Sequence, residues 1–364
     1  MLHHLWLLGA VQPVTPWQWR LLRYTPLNII VEGRQPVILF FVLSGFVLAH
    51  ALMQAPTPYP IFTIRRVLRI YLPFAAAILL SGACYALLDP GEPRPFSAWF
   101  GGLWRGGYSL SRLAGHLLMP GTRRDDLDPV VWSLVHEFRI SALLPVLLWS
   151  CQRRLGTMLA ASVVVQWLVL PFCLDPITGE PCRAWLSCRP FWGAGADGSL
   201  LVSAYFVCFF VLGIGIAVQR ERLHQLFRNP HCKTLGVAVS LALLSGVAGT
   251  GDLGFGLGGA LLIVLALESG RLATALRRRP LPWLGRISYS LYLVHVPVFL
   301  AGIYGLGPGL QPRWQPALLP VLPALALIAA CLFYRLVEIP AQHVGRRLTA
   351  HPFAAGAASA KARA

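Results

Sequence analysis

Runs of about twenty apolar residues recur along the whole length of this chain, and short segments between them hold nearly all of its charge. About 20 apolar residues in a helix match the hydrocarbon thickness of a bilayer, and a helix satisfies every backbone polar group internally. Such runs lie near 37–54, 70–89, 129–150, 155–175, 200–219, 233–250, 253–269, 286–306 and 316–337, after a shorter one at 1–12. Charged residues make up 12% of the chain, against roughly 25% in soluble globular proteins. With 56% hydrophobic residues and a mean hydropathy of +0.62, a soluble enzyme, a disordered basic tail and a disulfide-stapled secreted module are excluded. The fold class expected is all-α, a polytopic membrane bundle of about ten transmembrane helices with the first one truncated. Residues 1–350 read as a single membrane domain, and the Ala-rich 351–364 as a disordered cytoplasmic tail. The longest connection, near 90–128, is too short and too rich in Gly and Pro to fold alone.

The net charge of +17 suggests nucleic acid in a soluble chain. Here it sits in loop arginines, which more simply face anionic lipid and fix orientation. Alternate connections hold 11 Lys and Arg on one face and 18 on the other, with Lys233 and Arg286 counted among the latter. The excess marks the cytoplasmic side, so both termini are expected there, in an inner cell membrane. A helix over 1–12 rises only about 18 Å against a core of about 30 Å. Either this stub is re-entrant and shielded by protein, or the reading frame continues upstream of Met1, which is the expectation adopted.

Ionisable side chains at membrane depth are functional candidates by default, and few are present. Asp128-Pro129 resembles a helix opening, which places Glu137 about two turns inside its span. Ser133, Glu137 and Ser141 fall at i, i+4 and i+8 and form one polar stripe on a helix of Val, Leu, Phe and Trp. Such a stripe faces the bundle interior or a wet cleft. Arg139 lies about 200° round the helix from Glu137, so a local pair is not expected; an arginine on another helix is the structural alternative to a functional role. His3 and His4 end the stub and read equally well as interfacial polar residues. His295 precedes Pro297 in the ninth run and reads as an inter-helix hydrogen-bonding residue. Arg335 and Glu338, three apart, read as a helix-terminal ion pair. Arg65, Arg66 and Arg69 form RRxxR on the expected cytoplasmic side, either as a positive-inside anchor or as a phosphate site, since guanidinium groups donate bidentately to phosphate.

Five segments carry a resemblance: FFVLSGF at 40–46, RRVLRI at 65–70, WSLVHE at 132–137, GRISYSLYLVHVP at 285–297 and YRLVEIP at 334–340. In this order, on a ten-run chain, they resemble the acyltransferase 3 family of integral membrane O-acyltransferases over nearly the whole chain. The resemblance implies transfer of an acyl group, most often acetyl from acetyl-CoA, to a hydroxyl of an extracytoplasmic carbohydrate or small molecule. It implies acetyl-CoA as co-substrate, membrane lipid as surroundings, and neither a metal nor nucleic acid. The family's essential histidine maps onto His3 or His4, and the arginine that precedes it there has no counterpart downstream of Met1. The implied catalytic groups are that histidine and Glu137. Arg65, Arg66 and Arg69 are the implied donor-binding groups, and Ser44, Trp132, Ser133, Ser141, Tyr289 and His295 line the implied substrate cleft.

A histidine near neutral pKa suits proton removal from an attacking hydroxyl, with a carboxylate to orient the imidazole or assist the acceptor. A transporter or flippase of a lipid-linked sugar uses the same kinds of buried groups, and an inactive homologue is the third reading. Of eight cysteines, Cys84, Cys151, Cys208, Cys232 and Cys331 read as small apolar fillers. Cys182 and Cys188, with Cys173 nearby, share an external connection where a Cys182–Cys188 disulfide is possible.

Overall fold

The computed structural model describes residues 1–8, 17, 25, 32–88, 97, 99–105, 109–118, 127–172, 195–245, 250–306 and 315–349. Cys173, Cys182, Cys188 and the Ala-rich tail lie outside the described residues. Every regular element among those described is helical. In chain order they are α1 (Leu2–Leu7), α2 (Arg34–Gln54), α3 (Tyr59–Leu88), α4 (Leu110–Leu117), α5 (Val131–Ala142), α6 (Leu144–Val169), α7 (Gly195–Val218), α8 (Arg220–Leu226), α9 (Pro230–Leu244), α10 (Gly251–Glu268), α11 (Gly270–Arg277), α12 (Leu281–Gly305) and α13 (Gln315–Phe333). A π turn at Tyr334–Glu338 carries α13 on to residue 349.

Seven helices are long and apolar enough to cross a membrane: Arg34–Gln54, Tyr59–Leu88, Leu144–Phe172, Ser199–Val218, Gly251–Glu268, Leu281–Gly305 and Pro320–Thr349. The ten runs read from the sequence map onto these with three differences. The described helix of the first run is only Leu2–Leu7. The run near 233–250 forms a helix of 15 residues. The run near 129–150 is divided at Leu143 into α5 and the first part of α6. Arg154, at φ −144° and ψ 61°, then breaks α6 into two helices. Hydropathy cannot see such breaks, because apolar residues continue across them. Asp128 and Pro129 precede the helix rather than open it. The first helical residue of α5 is Val131, and the Asp128 carboxylate accepts from the Val130 amide at 3.4 Å.

Two apolar cores result. One is centred on α2 and α7 with α6 and α10, where Phe41, Phe206, Phe209 and Phe210 are fully buried. The other joins α3, α12 and α13 with Leu5, Leu8, Phe100 and Trp104. Without a water-driven effect between helices in lipid, close packing has to come from small residues. Gly45 and Gly213 provide this at the α2–α7 crossing, where a Cβ on either would fall on the carbonyl oxygen of Phe210 or Val42. Helix α5 stands on the seam, with Val131 and Leu134 in the second core and Ile140 in the first. Its polar stripe therefore lies between them. Cys151 and Cys208 are free and buried in the first core, and Cys84, Cys232 and Cys331 are free and half-buried.

Candidate active site

The first polar centre joins α1 to α12. His4 Nδ1 lies 2.8 Å from His295 Nε2, and the two rings are 4.9 Å apart. The other face of His4 stacks on Trp99 at 5.3 Å and 16°. His295 is fully buried, and its Nδ1 is 2.9 Å from the carbonyl oxygens of both Leu291 and Tyr292 in its own helix. One turn earlier, the Tyr292 hydroxyl donates to the Val130 carbonyl at 2.7 Å. Having one proton, it must accept at its 2.7 Å contact with Ser133 Oγ. His3 turns away from this centre, its ring lying against Gly33 at the start of α2. Of the two histidines that the sequence left as alternatives, His4 is thus the one bonded into the bundle through His295.

Ser133 begins the stripe, and Glu137 follows one turn on. Its Oε1 accepts from Arg66 Nη2 at 2.8 Å and from Ser44 Oγ at 3.4 Å. Arg66 Nε reaches Ser141 Oγ at 3.3 Å, so all three stripe residues face neighbouring helices. Glu137 is paired with an arginine of another helix and has no contact with Arg139. Arg139 instead donates to Ser199 and Ser203 on α7. The second carboxylate oxygen of Glu137 is buried without a hydrogen-bond partner among the described residues.

RRxxR is divided by burial. Arg66 is buried in this ion pair, while Arg65 and Arg69 are exposed. Arg65 Nε donates to Thr349 Oγ1 at 2.9 Å, tying the start of α3 to the end of α13. Arg69 lies within electrostatic range of Glu338 and Tyr289, and the Tyr289 hydroxyl donates to the Ile70 carbonyl at 2.9 Å. Glu338 is held by Ser290 at 2.6 Å and Gln342 at 3.2 Å, which replaces the Arg335 partner read from spacing. Arg335 turns instead toward a cavity of about 190 Å³ beside Trp283, Arg286 and Tyr334.

A third centre escaped sequence reasoning. Arg34 donates through Nε and Nη2 to both oxygens of Asp252 at 2.5–2.9 Å, with both side chains 1% exposed. The Tyr205 hydroxyl adds a bond to Asp252 at 3.0 Å. The guanidinium also lies 5.7 Å from the Trp132 ring and 5.4 Å from Phe206. Trp132 therefore belongs with this pair rather than with Ser133, its neighbour in the chain. The available signal was one arginine and one aspartate, each directly before an apolar run. Among the described residues no group of three or more His, Cys, Asp or Glu side chains is placed to hold a metal ion.

No solved structure matches this chain. It is 27% identical over 359 residues to the acyltransferase MdmB of Streptomyces mycarofaciens, an alignment covering 88% of this chain and 84% of that protein. Residues 1–335 match the acyltransferase domain family Acyl_transf_3. That span holds His4, Arg66, Glu137 and His295 together with all but the last turns of the bundle. The chain belongs to this acyltransferase family and is a membrane-helical enzyme of that class.

Proposed function

We propose that this protein transfers an acetyl group from acetyl-CoA to a hydroxyl of an extracytoplasmic carbohydrate or small-molecule acceptor. The observation that carries the reading is the placement of His4 against His295, one turn along α5 from the buried Arg66–Glu137 pair. Acyl transfer from a thioester to an alcohol needs a base near neutral pKa, and His4 supplies it. His4 takes the hydroxyl proton as the oxygen attacks the thioester carbonyl. The tetrahedral adduct then expels the thiolate, which recovers the proton from the imidazolium. Glu137, held by Arg66, presents its second carboxylate oxygen to the donor or acceptor rather than to the imidazole. The exposed Arg65 and Arg69 are the groups that hold CoA phosphates, and Ser44, Ser133, Ser141 and Tyr289 line the polar track between them and His4.

A ten-crossing arrangement with both termini cytoplasmic, in the inner membrane, accords with this reading. Gln152, Arg153 and Arg154 sit at the break in α6 and are exposed. Two arginines in mid-hydrocarbon are costly, so the break belongs at a membrane surface. That divides the chain there into crossings over 131–153 and 155–172. The α1 segment and α9 complete the ten, within one domain over 1–350.

The decisive experiment follows [14C]acetyl-CoA label into the glycan and glycolipid fraction of membranes that contain the protein. Mass spectrometry of the same fraction, with and without the gene, identifies the acceptor. Label transfer that disappears in His4→Ala is expected. A His4→Ala protein with normal turnover overturns the assignment, as does an absence of transfer from acetyl-CoA by the wild type.

A further inference from the structure

We propose that His295 is a positioning residue that fixes which nitrogen of His4 acts as the base. The inference rests on the acyl-transfer reading above and follows from the hydrogen-bond bookkeeping of two rings.

A backbone carbonyl can only accept. His295 Nδ1 stands 2.9 Å from two of them, Leu291 and Tyr292, so its proton is on Nδ1. A neutral imidazole then carries a lone pair on Nε2. The 2.8 Å contact from that Nε2 to His4 Nδ1 is closed only if His4 donates, which puts the His4 proton on Nδ1. The lone pair of His4 is thereby assigned to Nε2, on the side of the ring away from His295. Ring orientation in a histidine is ambiguous by itself; here the two carbonyls remove the ambiguity, because the flipped His295 would set a carbon against them.

The same bond matters after proton transfer. When Nε2 of His4 gains the acceptor's proton, His4 becomes an imidazolium with protons on both nitrogens. Its Nδ1–H still meets the His295 lone pair, so no proton has to move between the rings and His295 stays neutral throughout. Where hydrolytic triads orient the base with a carboxylate, this site does so with a second neutral imidazole anchored to its own helix backbone. Glu137 is unavailable for that task, since its Oε1 is engaged by Arg66 and Ser44 on other helices. Trp99 stacked on His4 restrains the ring to the plane in which the bond forms.

The test compares His295→Leu, which keeps bulk and removes the acceptor, with His295→Gln, whose carbonyl oxygen can accept from His4 Nδ1–H. Label transfer from [14C]acetyl-CoA is measured at saturating donor and at the donor KM. A base in the wrong tautomer costs up to about 10⁴-fold in hydrolases. The expected result is a fall in kcat of about 10²-fold or more for His295→Leu, donor KM within about twofold of wild type, and substantial recovery in His295→Gln. A double His4→Ala/His295→Leu should be no slower than His4→Ala alone.

Normal kcat in His295→Leu beside an inactive His4→Ala overturns the inference and leaves the proposed function standing. Equal impairment of Leu and Gln variants that retain donor KM also overturns it, by reducing His295 to packing. An active His4→Ala fails the acyl-transfer base itself. Should His295→Leu not accumulate, ethoxyformylation of the wild-type protein by diethyl pyrocarbonate, read by peptide mapping, gives an independent answer. His4 should be modified and His295, with both nitrogens engaged, protected; the reverse order overturns the inference.

Discussion

Arg66 and Glu137 meet at 2.8 Å inside the bundle, 71 residues apart in the chain, with side chains only 11% and 4% exposed. Removing one partner of a buried ion pair leaves an uncompensated charge, at about 3–5 kcal/mol, whereas replacing both by apolar groups is far milder. Arg66→Met should therefore lower the thermal midpoint in detergent sharply. Arg66→Met/Glu137→Leu should recover a large part of the loss while remaining inactive. Equal midpoints for the single and double variants would show that the pair is not coupled.

The division of RRxxR by burial separates two effects that a triple substitution would blur. Arg65→Gln/Arg69→Gln should raise the KM for acetyl-CoA several-fold or more with little change in folded yield. Arg66→Gln should instead lose stability first. Donor KM measured on properly inserted protein checks both, and an unchanged KM in the Arg65/Arg69 variant removes the phosphate role.

The Arg34–Asp252 pair is 1% exposed on both sides and braces α2 against α10. Asp252→Asn should destabilise the protein by several kcal/mol, because the guanidinium is left buried beside a neutral group. Tyr205→Phe, which deletes one hydroxyl bond to a charged acceptor, should cost about 1.5–3 kcal/mol. Donor and acceptor KM should hold in Tyr205→Phe, and a selective rise in either would place this centre in substrate binding instead.

Glycines divide in the same way. Gly45→Ala and Gly213→Ala set a methyl group against backbone carbonyls, whereas nothing lies within 4 Å of a Cβ at Gly270 or Gly285. The first two should reduce folded yield severely, and Gly270→Ala should leave it unchanged. Detergent-extracted yield at matched expression distinguishes them.

Much of this was legible in the sequence, for physical reasons that also mark where legibility ends. Apolar length reports helices that must cross lipid, so the seven long ones stand where the runs are. It is blind to Leu143 and Arg154, where the backbone turns without a change in hydropathy. The Ser133–Glu137–Ser141 stripe is visible because helical period is local. The identity of its partner is not, since Arg66 comes to Glu137 only through the packing of α3 on α5. Arg34 and Asp252 looked like loop residues because each precedes its apolar run; the helices begin one or two residues earlier than those runs, and that small shift turns both side chains inward. His3 and His4 are equivalent as letters, and only the position of His295 distinguishes them.

The glycine contact between α2 and α7 has one more consequence. Most helix pairs in a protein are spaced by side chains, which change rotamer and let the gap breathe. Where Gly45 meets Phe210 and Gly213 meets Val42, the spacer is peptide bond on peptide bond, the stiffest joint a chain can make. Ser44, the residue immediately before that joint, holds Glu137 from it. The carboxylate is thus referenced to a fixed point in the scaffold, and the alignment of the polar track is anchored by two residues that contribute no atom to it.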